Sequence, residues 1–146
     1  MEARPANKQI LVVDDDVGIL RLVRETLTSF LDCSVDTSPS AEYAFEMALR
    51  KSYGLFLFDF SMPIVDGALL YSLITKVYGI TLDPPRTAPP LILMSGHGEQ
   101  ARVRALLREP GVRGLLPKPF TIDRLLDRVE AFLPETGRVG ARRRVL

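Results

Sequence analysis

The sequence predicts a five-stranded, doubly wound α/β domain, on three observations. Four short apolar runs each end in a polar residue: Val12-Val13-Asp14-Asp15-Asp16, Phe56-Leu57-Phe58-Asp59, Leu93-Met94-Ser95-Gly96 and Leu115-Leu116-Pro117-Lys118-Pro119. Strands buried on both faces of a parallel sheet read as continuous apolar runs of this kind. Amphipathic helical stripes fill the intervals, and the alternation of strand with helix implies right-handed crossovers that cover both faces of one sheet.

Taken in chain order, Gln9 to Val13 reads as the first strand. Asp16 is placed to cap the helix that follows, whose stripe is Ile19, Leu20, Val23, Leu27 and Phe30. Ser34 to Asp36 is a short second strand, weaker in pattern than the others, and Ala41 to Leu49 the second helix. Leu55 to Phe58 is wholly apolar and precedes a tight turn, Ser61-Met62-Pro63-Ile64-Val65-Asp66-Gly67, before a helix over Ala68 to Val77. Tyr78 to Pro90 contains Gly79, Pro84, Pro85, Pro89 and Pro90, and Pro can neither continue a helix nor donate to a ladder. This reads as a long exposed loop with no role of its own. Leu91 to Met94, a helix over Gln100 to Leu107, and Gly114 to Leu116 complete the alternation. The last helix carries the stripe Ile122, Leu125, Leu126, Val129, Phe132 and Leu133, with Thr121 as its cap and Asp123 in its first turn.

With 146 residues, 47% apolar and 25% charged, the chain suits one globular domain with a real core. The expected division is an extension over 1–7, the domain over 8–134 and an Arg-rich tail over 135–146. No apolar run approaches the roughly 20 residues of a membrane span, and the start lacks a signal-peptide core, so a cytoplasmic protein without membrane contact is expected. One Cys (Cys33) and one His (His97) cannot build a thiolate or imidazole metal site, and Cys33 reads as a small buried hydrophobe. Of the formal +1 charge, four arginines lie beyond Gly137, so the remainder carries −3, which argues against a general nucleic-acid surface. The tail itself reads as a solvated terminus.

Ligands of open α/β sheets sit beyond the carboxyl ends of the strands, where this sequence places carboxylates, a hydroxyl and one ammonium. Two unit charges about 4 Å apart repel by roughly 4 kcal/mol at an effective dielectric of 20, so Asp14, Asp15 and Asp59 brought together need a cation or a proton. Mg²⁺ fits, because it takes one or two carboxylates plus waters and phosphate oxygens. Asp59 is the carboxylate that ends a fully apolar strand, and a carboxylate can serve as a nucleophile that accepts a phosphoryl group. Lys118 supplies a point cation for phosphoryl oxygens. Ser95 offers a hydroxyl that negative charge at the site would attract, a candidate sensor.

These stretches together resemble the response-regulator receiver domain of two-component signalling, in its single-domain form. The resemblance rests on Ile10-Leu11-Val12-Val13-Asp14-Asp15-Asp16, on Asp59-Phe60-Ser61-Met62-Pro63 with Asp66-Gly67, on Met94-Ser95-Gly96, and on Pro117-Lys118-Pro119-Phe120, and it covers Lys8 to Leu133. It implies a flavodoxin-like receiver fold, with Asp59 as phosphoacceptor and Asp14 and Asp15 as the acidic pair serving Mg²⁺. The Ser61 carbonyl would be the backbone Mg²⁺ ligand, Ser95 the switch hydroxyl and Lys118 the phosphoryl-binding lysine. Ser61 and His97, each two residues past a site residue, would tune the phosphoryl lifetime. It further implies that a histidine kinase or histidine phosphotransfer protein donates the phosphoryl group, that the domain catalyses both its transfer and its slow loss, and that output passes through a downstream protein. Three departures stand out. Leu115 occupies the place where the family usually carries Tyr, Phe or His, the Tyr78 to Pro90 connection is long, and only the Arg-rich tail follows the last helix.

Two other classes share parts of this chemistry. A Mg²⁺-dependent phosphohydrolase with an Asp nucleophile usually wants an acid two residues later, where this chain has Ser61. A scaffold that is no longer phosphorylated would be expected to have lost an acid or the lysine, and all are present here.

Overall fold

The computed structural model describes residues 7–80 and 85–138. Among these, five parallel strands form one sheet in the order β2-β1-β3-β4-β5, with β1 at Gln9–Val13, β2 at Ser34–Ser38, β3 at Leu55–Asp59, β4 at Leu91–Ser95 and β5 at Val112–Pro117. The helices are α1 (Val17–Phe30), α2 (Ala41–Arg50), α3 (Gly67–Ile80), α4 (Gln100–Leu106) and α5 (Ile122–Phe132). Alternating strand residues feed two separate cores. Leu11, Val13, Phe56, Phe58, Leu91 and Leu93 pack under α2, α3 and α4, while Ile10, Val12, Leu55, Leu57, Ile92 and Met94 pack under α1 and α5.

The doubly wound architecture is therefore as expected, and β3 and β4 each extend one polar residue further than the apolar runs, ending on Asp59 and Ser95. Both ends are buried because their backbones stay in the ladder, Asp59 in register with Met94 and Ser95 with Pro117. The caps form as their side chains require. Asp16 accepts from the amides of Gly18 and Ile19, Ser40 from Tyr43 and Thr121 from Arg124. No helix of the described residues is long and apolar enough to cross a membrane.

Several local expectations need correction. Tyr78 to Ile80 is not loop. It is the last turn of α3, and Tyr78 is buried because its ring packs in the core and its hydroxyl donates to the Ala48 carbonyl on α2. Residues 81–84 of the supposed loop lie outside the described residues. Its far end is tied down, since the Tyr71 hydroxyl donates to the Pro89 carbonyl at 2.8 Å. Cys33 is half-buried rather than buried, against the α1 side of the sheet. Burial, then the neighbouring Asp32 charge, pushes its thiol up to about 11, so it is a poor nucleophile. Ile122 is half-exposed because it stands in the first turn of α5, ahead of the part that packs. Arg138 is not solvated tail. It bridges Asp127 and Glu130 of α5, and its backbone pairs with Leu31 after α1. Arg142, Arg143 and Arg144 lie outside the described residues.

Candidate functional site

Strand register places the site. Val13 pairs with Phe58, so Asp14 and Asp59 are each one step beyond that pair on adjacent strands, and Asp59 in turn pairs with Met94. The strand order reverses direction between β1 and β3, which opens a crevice at the carboxyl edge, the place where ligands bind in such sheets. Gly67 lets α3 start directly below Asp59. A Cβ there would stand 2.3 Å from the Asp59 carbonyl oxygen, so no larger residue fits without moving the turn.

Asp14, Asp15 and Asp59 each offer a carboxylate oxygen, and these atoms lie within 4.8 Å of one another. Their settings differ. Asp14 is fully buried, Asp59 nearly so, and Asp15 faces solvent. The Lys118 ammonium reaches in from the end of β5, 2.7 Å from Asp14 Oδ2 and 3.2 Å from Asp59 Oδ1. Its backbone is held by donation from the Lys118 amide to the Ser95 carbonyl at 2.7 Å. Asp14 Oδ1 accepts the Asp16 amide at 2.9 Å, and among the described residues Oδ2 has no hydrogen-bond donor besides the ammonium.

Burial first, then the Asp14 charge, raises the Asp59 carboxyl to about 6 against the pull of Lys118. For Lys118 the balance runs the other way: burial lowers its pKa, but the contacts with Asp14 and Asp59 outweigh it and hold the ammonium above its ordinary range. Three carboxylates against one ammonium leave about two negative charges in excess when all are ionised. An all-oxygen donor set with that surplus and one solvent-facing carboxylate fits a divalent cation that keeps several waters, as Mg²⁺ does. Ser95 adds a hydroxyl to the same edge. Its Oγ is fully buried and has no hydrogen-bond partner among the described residues, an arrangement that costs about 1–3 kcal/mol.

All the expected strand-end groups thus converge on one edge. Ser61 and His97 are exposed on the loops after β3 and β4, while Leu115 is partly buried against the core cluster that contains Val103 of α4. Sequence reading overlooked Glu99. Its Oε1 accepts the Gly96 amide at 2.6 Å and so pins the loop beside Ser95. No sequence pattern marks it, because Glu99 stands at the N-cap of α4 without a capping bond to the helix and reaches back into the loop instead.

The chain matches a family model described as the response regulator receiver domain over residues 10–130. It is 32% identical over 126 residues to the transcriptional regulatory protein ResD of Bacillus subtilis, covering 86% of this chain and 48% of that protein. To the probable chemotaxis protein CheY of Rhizobium etli it is 25% identical over 123 residues, covering 84% of this chain and 90% of that protein. The chain spans about half the length of ResD, whereas it spans most of CheY. Among solved structures, the receiver domain of NtrX from Brucella abortus superposes with a TM-score of 0.71 at 28% identity, covering 86% of this chain and 98% of that one.

Proposed function

Because this chain belongs to the response regulator receiver domain family, we propose that residues 8–134 form a cytoplasmic phosphoacceptor unit in which Asp59 takes a phosphoryl group from a histidine kinase or histidine phosphotransfer protein. The observation that carries the reading is the buried Asp59 carboxylate lying between Asp14, Lys118 and the unpartnered Ser95 hydroxyl at one strand edge. In the proposed transfer, an Asp59 oxygen forms the bond to phosphorus as the phosphorus–nitrogen bond of the donor breaks. The donor imidazole leaves with that electron pair. Lys118, already 3.2 Å from Asp59, holds the phosphoryl oxygens as a point cation. Asp14, Asp15, Asp59 and the Ser61 carbonyl would hold Mg²⁺, which, when bound, offsets charge on the phosphoryl oxygens.

A small-molecule phosphodonor tests the class of function. The receiver reading expects one labile phosphoryl per chain in intact-mass spectra. Many turnovers per chain would mark a phosphohydrolase, and no modification at all a scaffold.

Mg²⁺ is expected to raise the thermal midpoint of the wild type. Ligand that binds only the folded state adds about 2.7 kcal/mol at a hundredfold excess over Kd. Asp15 is the exposed member of the trio and bears little of the fold, so Asp15→Ala should retain its metal-free midpoint and lose most of the Mg²⁺ increment. An unchanged increment removes Asp15 from the metal site.

The phosphorylated state should recruit Ser95. A hydrogen bond to a charged group is worth about 1.5–3 kcal/mol, enough to shift a two-state loop tenfold or more. Moving Ser95 would disturb the Gly96–Glu99 contact, so the loop from Ser95 to Gln100 and α4 behind it should respond, and downstream binding should centre on α4, β5 and α5. Leu115 has no polar tip and already packs against the core cluster that contains Val103 of α4, so the response should depend little on it. Amide shifts with and without a beryllofluoride phosphoryl mimic check this in wild type and Leu115→Ala. Loss of the loop response in Leu115→Ala would make the leucine the coupling residue. The same comparison of dephosphorylation rates in Ser61→Asn and His97→Ala tests the tuning role of those two positions, which both being without effect would refute.

A further inference from the structure

The α2–α3 side of the domain carries an apolar surface that runs from the turn after β3 down the two helices. Phe45 of α2 and Val65, Leu73 and Val77 from α3 and the turn before it line a groove of about 300 Å³. Next to Val65, Ile64 stands 94% exposed at φ 70, a left-handed conformation that a β-branched residue rarely adopts. Leu69 and Leu73 are also exposed, on the outward stripe of α3. Solvent does not favour such a set, and contiguous exposed apolar patches rimmed by polar residues mark interaction sites.

Charge says what covers it. The two helices follow parallel strands of one sheet and pack side by side, so both run from the carboxyl edge of the sheet to the opposite edge. Along that direction the rim changes sign: Glu42 lies toward the carboxyl edge, Glu46 midway along α2, and Arg50 and Lys76 toward the other edge. Among the described residues none of these four has an ion-pair partner. A face with acid at one end, base at the other and apolar residues between is complementary to itself when turned end for end, which is the requirement of an isologous twofold interface.

We propose that two copies of this chain pair through the α2–α3 face about a twofold axis perpendicular to these helices. The acidic end of each then meets the basic end of the other, with Leu73 of each copy near the axis. This leaves α1, α4, β5 and α5 uncovered. The pairing needs no phosphoryl group, so it stands or falls separately from the role of Asp59.

Sedimentation velocity and light scattering of the full 146-residue chain test it, against a monomer mass of 16.3 kDa. The wild type should move to twice that mass with rising concentration. Leu73→Glu should stay monomeric with an unchanged circular dichroism spectrum and an unchanged phosphoryl gain at Asp59. Glu42→Lys and Lys76→Glu should each weaken the dimer at least tenfold, and the two combined should recover it. A wild type that remains monomeric up to about 1 mM, where even weak self-association registers, overturns the proposal. A dimer indifferent to Leu73→Glu, as expected if it forms through another face, overturns it too.

Discussion

Asp59→Asn should abolish phosphoryl uptake and, in the absence of metal, make the protein more stable at neutral pH. The wild-type carboxyl is raised to about 6 in the folded protein by burial and by Asp14, against an ordinary 3.8. As pH climbs from below 3.8, the unfolded chain gives up this proton first, so folding stability from this group falls until the folded carboxyl ionises near 6 and is then constant. At 1.36 kcal/mol per unit the full penalty is on the order of 2–3 kcal/mol. Asn has the same shape and never ionises, so it escapes that penalty while leaving Asp14 its contact with Lys118. The variant should therefore unfold on the order of 2 kcal/mol later than wild type at pH 7.5 in EDTA, with the gap closing near pH 4. Chemical denaturation at the two pH values measures this, and intact mass after incubation with a phosphodonor measures uptake. A phosphoryl gain equal to wild type would remove Asp59 as acceptor, and a stability gap independent of pH would remove carboxylate strain as its cause.

Lys118→Met should have the opposite effect on stability. The ammonium is the one cation in contact with the fully buried Asp14 among the described residues. Breaking a buried pair by removing one partner leaves an uncompensated charge, at a cost of about 3–5 kcal/mol. Met fills much of the same volume, so the loss reports charge rather than packing. Without Lys118, a force lowering the Asp59 carboxyl is gone and its pKa should rise further. The destabilisation should then be largest above pH 7 and shrink in acid, where the Asp59 carboxyl takes up a proton. Mg²⁺ should restore part of the lost stability by replacing one cation with another, and phosphoryl uptake should stay low even with Mg²⁺ present. Urea unfolding across pH 5–8, with and without the metal, checks both. Stability unchanged at pH 7.5 would mean that the contact between Lys118 and Asp14 does not support the fold.

The site was legible at the level of which residues and which edge. Asp14, Asp59, Ser95 and Lys118 each end an apolar run, and in a parallel sheet such runs finish on one side. Glu99 escaped notice because its contact with Gly96 is a loop detail that no periodicity marks. At the start of the Tyr78 to Pro90 segment, Gly79 and the prolines speak for a break, but burial of the Tyr78 ring and its bond to Ala48 outweigh one unfavourable glycine in a helix.

The sequence alone determined the alternation of strand and helix, the two-sided burial of the sheet and the chemical types gathered at its carboxyl edge, because these follow from periodicity and from where an apolar run stops. Pattern alone left the order β2-β1-β3-β4-β5 open, since apolar strands of similar length are interchangeable; the family resemblance implied that order and the tertiary structure has it. That order and its register set Asp14 beside Asp59 and carry Lys118 between them. They bury Asp14 while Asp15 faces solvent, strand the Ser95 hydroxyl without a partner, and bring α2 and α3 together so that their charges form one polarised face. Those properties depend on distances between residues far apart in sequence, and only the packed sheet defines them.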